Sequence, residues 1–253
     1  MRIARFTAGA DPAYGVVDGD VITQIDGHPI GAFTLTGVRH ALADVRLLAP
    51  ILPTKIVAIG KNYAEHAAEM GGEAPAEPLI FLKPSSAVIG PGDPIARPGS
   101  VGRVDFEGEL VVVIGKVCRD VPPERAYDVV LGYTCGNDVT AREQQRADGQ
   151  WSRAKGYDTF CPLGPWIETE LDPSDLELTT TVNGEVKQSA RTSQLIHDIP
   201  KVIAHITAVM TLLPGDVLMT GTPAGVGPID VGDEVTVAIS GIGSLTNVVR
   251  ERA

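Results

Sequence analysis

Leu110-Val111-Val112-Val113-Ile114 is five apolar residues in a row, four of them β-branched. A run this short and this rich in β-branched side chains reads as a strand buried on both faces. Similar runs recur along the chain. KIVAIG, PLIFLKP, YTCGNDVT, DVLMTG, DEVTVAI and SLTNVVRE all read as strands. Asp18-Gly19 and Asn183-Gly184 sit between such runs and predict tight hairpins. Helical signals are fewer. NYAEHAAEM (62–70) is Ala-rich and stopped by Gly71-Gly72. PPERAYDVVLG suggests a second helix. Ile199, Val202, Ile203, Ile206, Val209, Met210 and Leu213 follow helical spacing up to Pro214-Gly215. The expected fold is mainly β with flanking helices. The Pro50 and Pro53 punctuation divides a small N-terminal β module, residues 1–50, from a core over residues 54–253.

Composition narrows the function. A hydrophobic fraction of 43% over 253 residues is ample for a packed core. The net charge of −11 repels nucleic acid and anionic membranes, and 5% aromatic residues leave little for stacking on bases. Cys118, Cys135 and Cys161 show no CxxC spacing and suit unpaired thiols in a reducing cytoplasm. No signal peptide or membrane-spanning run is expected.

Acids precede the LVVVI run. In DFEGEL, Asp105, Glu107 and Glu109 are two residues apart, so in one continuous strand they would share a face. Asp138 closes a second apolar strand. Leaving water costs several kcal/mol per ion unless a counter-charge compensates. Either that face is wet, as at a solvated sheet edge, or a cation sits there. Hard oxygen ligands select Mg²⁺, Mn²⁺ or Ca²⁺. His66 and Glu69 share a helix face, which suits a water-activating pair or an ordinary exposed helix. Arg142 and Lys155 flank a polar stretch and offer cations for a substrate carboxylate, or simply a solvated charge run. TGTPAGVG (220–227) lacks dinucleotide-binding spacing and reads as an anion nest or a plain turn. There is no GxSxG elbow, and no Cys neighbours a His.

In order along the chain, GKNYAEHAAEM, FLKPSS, VDFEGELVVVIG, GYTCGNDVTARE, AKGYDTFCPLGPW and PGDVLMTGTPAGVG resemble the fumarylacetoacetate hydrolase family. The likeness is nearest to its branch of acylpyruvases, oxaloacetate decarboxylases and 2-hydroxyhepta-2,4-diene-1,7-dioate isomerases. It implies a rolled mixed β-sheet core, usually in a homodimer, with Mg²⁺ or Mn²⁺ on Glu107, Glu109 and Asp138. It implies catalytic roles for His66, Glu69 and Lys155, with the His66–Glu69 helix as a lid, and it brings Arg142, Gln145 and Thr222 to the substrate. Asp105 then stands behind the ligands. The implied activity is C–C bond cleavage in a 2-oxo acid through an enolate, by acylpyruvate hydrolysis or oxaloacetate decarboxylation. Isomerisation of a dienoic diacid is the alternative within the family. A non-catalytic protein that binds a 2-oxo acid or a metal is the alternative outside it.

Overall fold

The computed structural model describes residues 1–252 apart from Ala10, Met70, Gly72 and Glu73. The fold is mainly β. One 12-stranded sheet runs Phe33–Ala41, Val21–Gly27, Ala13–Asp18, Arg2–Thr7, Cys161–Glu168, Val130–Asn137, Gly108–Ile114, Val217–Met219, Ile56–Gly60, Leu79–Lys83, with two short strands beside this path. Most pairings are antiparallel, but Val217–Met219 runs parallel to Ile56–Gly60, so the sheet is mixed. A five-stranded sheet is built on Glu177–Val182, Glu234–Ile239 and Gly243–Glu251. Residues 1–50 continue the large sheet edge to edge, with Arg2 opposite Glu168 and Ile3 opposite Ile167.

The LVVVI run is buried on both faces, as its composition requires. Leu110, Val112 and Ile114 pack with Leu178, Val237 and Ile239 of the second sheet and with Val202, Ile203 and Ile206. Val111 and Val113 face the other way, onto Met219, Leu163 and Ile51. Two faces separated by period two therefore build two cores. The Asn183-Gly184 hairpin forms, with both residues at positive φ (53° and 80°), the conformation a type I′ turn needs.

Several local expectations change. The helix expected in PPERAYDVVLG forms over Pro123–Val129, with 3₁₀ geometry. The amphipathic helix is Ile199–Val209, capped by the Asp198 side chain, and it ends before Pro214. Met210 is extended, and Leu212 exchanges backbone hydrogen bonds with Cys118 (2.9 and 3.0 Å), so tertiary pairing overrides helical spacing there. The Ala-rich helix spans Ala64–Glu69, while Met70 and Gly72 of its expected end lie outside the described residues. The polar stretch after Asp138 folds into two short helices, Arg142–Asp148 and Ser152–Lys155. Asp105, Glu107 and Glu109 do not share one strand. Asp105 lies in Val104–Phe106 of a separate three-stranded sheet, and Glu107 sits at the break before Gly108–Ile114. Gly108, which opens the strand after the break, has no room for a side chain, because a Cβ there would collide with the Thr180 hydroxyl.

Candidate active site

Carboxylate oxygens of Glu107, Glu109 and Asp138 converge to within 4.8 Å of one another, all from buried residues. The sheet register explains the meeting. Gly108 pairs with Asn137, so the residues flanking that pair, Glu107 with Glu109 and Asp138, lie at one end of adjacent strands. The Asn137 side chain accepts from the Glu107 amide (2.9 Å) and the Asp138 amide donates to the Glu107 carbonyl (2.8 Å), which fixes the corner.

Cations surround the cluster. Lys155 Nζ donates to Glu107 Oε2 and Asp138 Oδ2, each at 2.6 Å. Lys83 Nζ donates to Asp138 Oδ1 at 2.5 Å. Arg142 reaches Glu107 Oε1 at 2.5 Å and Asp105 Oδ2 at 2.7 Å. Asp105 is thus buried behind Arg142, outside the three-carboxylate cluster.

This arrangement splits the acids. Burial by itself would raise Glu107, but the Lys155 and Arg142 charges override it and hold the carboxyl well below the usual carboxylate range. Glu109 moves the opposite way, pushed well above that range by burial first, then by the Asp138 and Glu107 charges. It accepts the Gly221 amide at 2.7 Å. Burial opposes the Lys155 charge, yet Asp138 and Glu107 raise its pKa. Three hard oxygens around one point, one of them on a carboxyl with surplus negative neighbours, fit a divalent cation.

A cavity of about 170 Å³ opens over the cluster. All of the predicted site residues except Glu69 line it: His66, Glu107, Glu109, Asp138, Arg142, Gln145, Lys155 and Thr222. Glu69 stands behind His66, its Oε2 3.2 Å from His66 Nδ1, and also accepts the Gly225 amide at 3.2 Å. His66 is 5% exposed. Gln145 Oε1 accepts from Arg142 Nη1 (2.9 Å), and the Thr222 hydroxyl donates to the Gly108 carbonyl (2.9 Å). The TGTPAGVG segment is therefore a loop whose amides meet Glu109 and Glu69, carboxylates of the protein itself. Phe81 and Trp151 form an apolar wall, edge to face at 5.2 Å, with Lys155 Nζ 4.9 Å from the Phe81 centroid.

Two residues of this assembly, Lys83 and Asn62, are not among those that the sequence singles out. Lys83 closes the apolar LIFLK strand and is buried although Leu79 and Leu82 of that strand are exposed, so a lysine ending an apolar run is its one signal in the sequence. Asn62 is fully buried and anchors the segment leading into Ala64–Glu69. Its side chain donates to the His197 and Thr220 carbonyls (2.9 and 2.8 Å) and accepts the His197 amide (2.8 Å). Only the tertiary fold shows those partners.

Residues 55–250 match the fumarylacetoacetate (FAA) hydrolase C-terminal family, and residues 1–50 match the Rv2993c-like N-terminal family. The chain is 58% identical to Protein Rv2993c of Mycobacterium tuberculosis over 98% of both chains. The solved structure of 2-hydroxyhepta-2,4-diene-1,7-dioate isomerase from Mycobacterium marinum superposes with a TM-score of 0.94 at 53% identity, covering 100% of this chain and 99% of that one. Maleylpyruvate hydrolase from Sphingobium sp. SYK-6, solved with manganese(II) and pyruvate, superposes with a TM-score of 0.83 at 37% identity over the full length of both. The carboxylate cluster thus lies on a scaffold shared along almost the entire chain, and the protein belongs to the fumarylacetoacetate hydrolase family.

Proposed function

We propose that the protein is a Mg²⁺- or Mn²⁺-dependent enzyme that cleaves a C–C bond in a 2-oxo acid, with hydrolysis of an acylpyruvate as the leading reaction. The observation that carries this reading is the placing of a His–Glu pair and a three-carboxylate cluster on one cavity. Glu107, Glu109 and Asp138 would hold the cation. Bound there, it supplies Lewis acidity toward the carboxylate and keto oxygens of the substrate.

The remaining work falls to side chains. Water must add to the distal carbonyl. Glu69 at Nδ1 orients the His66 ring and favours the proton on that nitrogen, so the other ring nitrogen serves as base toward the cavity. The bond from that carbonyl to the methylene then breaks. Its electron pair passes to the pyruvate half as an enolate, which takes up a proton, and the distal half leaves as a carboxylate. Lys155 keeps positive charge beside the forming enolate, and its raised pKa keeps it protonated. Phe81 and Trp151 limit water on that side. The maleylpyruvate hydrolase relative, solved with pyruvate and manganese(II), supports this reading.

Isomerisation is the second reading, favoured by the 53% identity to the M. marinum isomerase. It would use the same enolate without water. Turnover of acetylpyruvate, oxaloacetate and 2-hydroxyhepta-2,4-diene-1,7-dioate, with Mg²⁺, with Mn²⁺ and with chelator, separates the reactions. Metal-dependent pyruvate release from acetylpyruvate supports hydrolysis. Consumption of the dienoate alone would replace hydrolysis by isomerisation, and carbon dioxide release from oxaloacetate alone would replace it by decarboxylation.

A further inference from the structure

The Ile199–Val209 helix is fixed in the core through Val202, Ile203 and Ile206. His197 stands just ahead of it, beside the capping Asp198, and is buried. Its backbone amide and carbonyl both engage the Asn62 side chain, and the neighbouring Ile196 amide donates to the Asn62 carbonyl at 2.9 Å. The ring goes elsewhere. Its Nε2 lies 2.9 Å from the Pro75 carbonyl oxygen, which can only accept, so Nε2 carries the hydrogen. Its Nδ1 is buried with no hydrogen-bond partner among the described residues. An unpartnered buried nitrogen costs stability that an apolar side chain would not lose, so the imidazole is explained by what its other nitrogen does.

These contacts meet the chain at two places. Asn62 precedes the Ala64–Glu69 helix, and Pro75 follows it. One residue at the foot of a core helix therefore holds both sides of the stretch that carries His66 and Glu69. A six-residue helix has too few internal bonds to fix itself. A second imidazole of the core helix, His205, has its Nδ1 3.1 Å from Glu77 Oε2, but Glu77 is exposed and such pairs contribute little. The bond from the buried His197 ring to Pro75 is the firmer tie.

We propose that His197 is a positioning residue: its backbone and ring staple Asn62 and Pro75 to the core helix and so keep His66 at the cavity. His197 does not line the cavity, so it acts only through His66 and Glu69. A general base works within hydrogen-bond reach of the water it activates, and a small misplacement forfeits much of the rate. Loss of the ring bond should therefore slow turnover and leave the carboxylate cluster intact, because that cluster is held by the pairing of Gly108 with Asn137.

The catalytic half of this proposal rests on the hydrolysis reading, so the test reads structure as well as rate. His197→Gln places an amide nitrogen near the Nε2 position. His197→Asn places one near Nδ1 and falls short of Pro75. The backbone bonds to Asn62 are available in both. Amide hydrogen exchange over Ala64–Glu69, Mn²⁺ affinity, and kcat and KM for acetylpyruvate with Mg²⁺ would be compared. His197→Asn should exchange about tenfold faster over that helix and lose about tenfold in kcat, with KM and Mn²⁺ affinity within roughly twofold of the unmodified protein. His197→Gln should recover exchange and kcat to within about threefold. His197→Leu buries no unpaired donor, should repeat the His197→Asn result, and takes its place if His197→Asn fails to fold. Unchanged exchange in His197→Asn and His197→Leu would overturn the staple. Faster exchange with unchanged kcat would overturn the positioning role. Equal losses in His197→Gln and His197→Asn would assign the effect to packing and overturn the ring bond as its cause. No turnover of acetylpyruvate by the unmodified protein would overturn hydrolysis, and with it the catalytic half, while the exchange contrast would still decide the staple.

Discussion

Glu107 and Glu109 are two residues apart and face one cluster, yet their environments pull them in opposite directions. Glu107 is clamped by Lys155 and Arg142, so removing it leaves two cations buried without that partner. Glu107→Ala should therefore lower the stability of the metal-free protein by about 3–5 kcal/mol. Glu109 carries surplus negative charge around it, and Glu109→Gln keeps its shape and removes one charge. That substitution should leave the chelated protein at least as stable as the unmodified one and abolish stabilisation by Mg²⁺. Chemical denaturation of both variants, with and without the cation, would test the contrast. Equal losses from the two substitutions would refute it.

The buried thiols give a pH dependence at the same scale. Burial pushes Cys135 and Cys161 up to about 12, from an ordinary value of 9.0. A raised folded pKa means that this stability is fully present below pH 9 and is lost as the pH rises toward 12. Melting temperature should fall over that window, and Cys135→Ala should make the fall shallower. An identical alkaline slope in the variant would contradict the assignment.

Among the elements, the Ala64–Glu69 helix is held less by its own six residues than by what stands beside it. Asn62 ties its entry to His197 and Thr220, and Gly225 ties Glu69 to the loop beyond the Val217–Met219 strand. His66→Ala should cut acylpyruvate hydrolysis by about 10²–10⁴ with little change in melting temperature. Asn62→Ala should act differently, costing about 1–3 kcal/mol by leaving buried backbone groups unpaired. It should also slow hydrolysis by misplacing His66. Rates and melting curves on both variants would show whether catalysis and anchoring separate in this way.

These elements also mark what could be read from letters. Period two and β-branching disclosed the buried LVVVI strand with Glu107 and Glu109 beside it, whereas Asp138 and Lys155 lie well downstream and joined them through the family resemblance. The break at Glu107 was hidden, because Val104–Phe106 and Gly108–Ile114 pair with different strands, partners that are distant in the chain. Helical spacing continued to Leu213, but a backbone pairing with Cys118 ended the helix at Val209. Lys83 and Asn62 gained their roles from partners that only the fold supplies.

At the scale of the whole molecule, the N-terminal strands are part of the large sheet. Arg2 and Ile3 pair with Glu168 and Ile167 at the end of Cys161–Glu168, a strand that also pairs with Val130–Asn137, which leads to Asp138. Unfolding should therefore be a single cooperative transition. Deleting residues 1–50 would expose a strand edge and should give an aggregating product. Two resolved transitions, or a soluble truncated protein with an unchanged core melting temperature, would show that the two parts are independent.

The proposed chemistry requires a divalent cation at Glu107, Glu109 and Asp138. Calorimetric titration of chelator-stripped protein with Mn²⁺ tests it most directly, beside the Glu109→Gln variant. One site per chain is expected in the unmodified protein and none at the same concentrations in the variant. Equal binding by both proteins, or no binding by either, would contradict it.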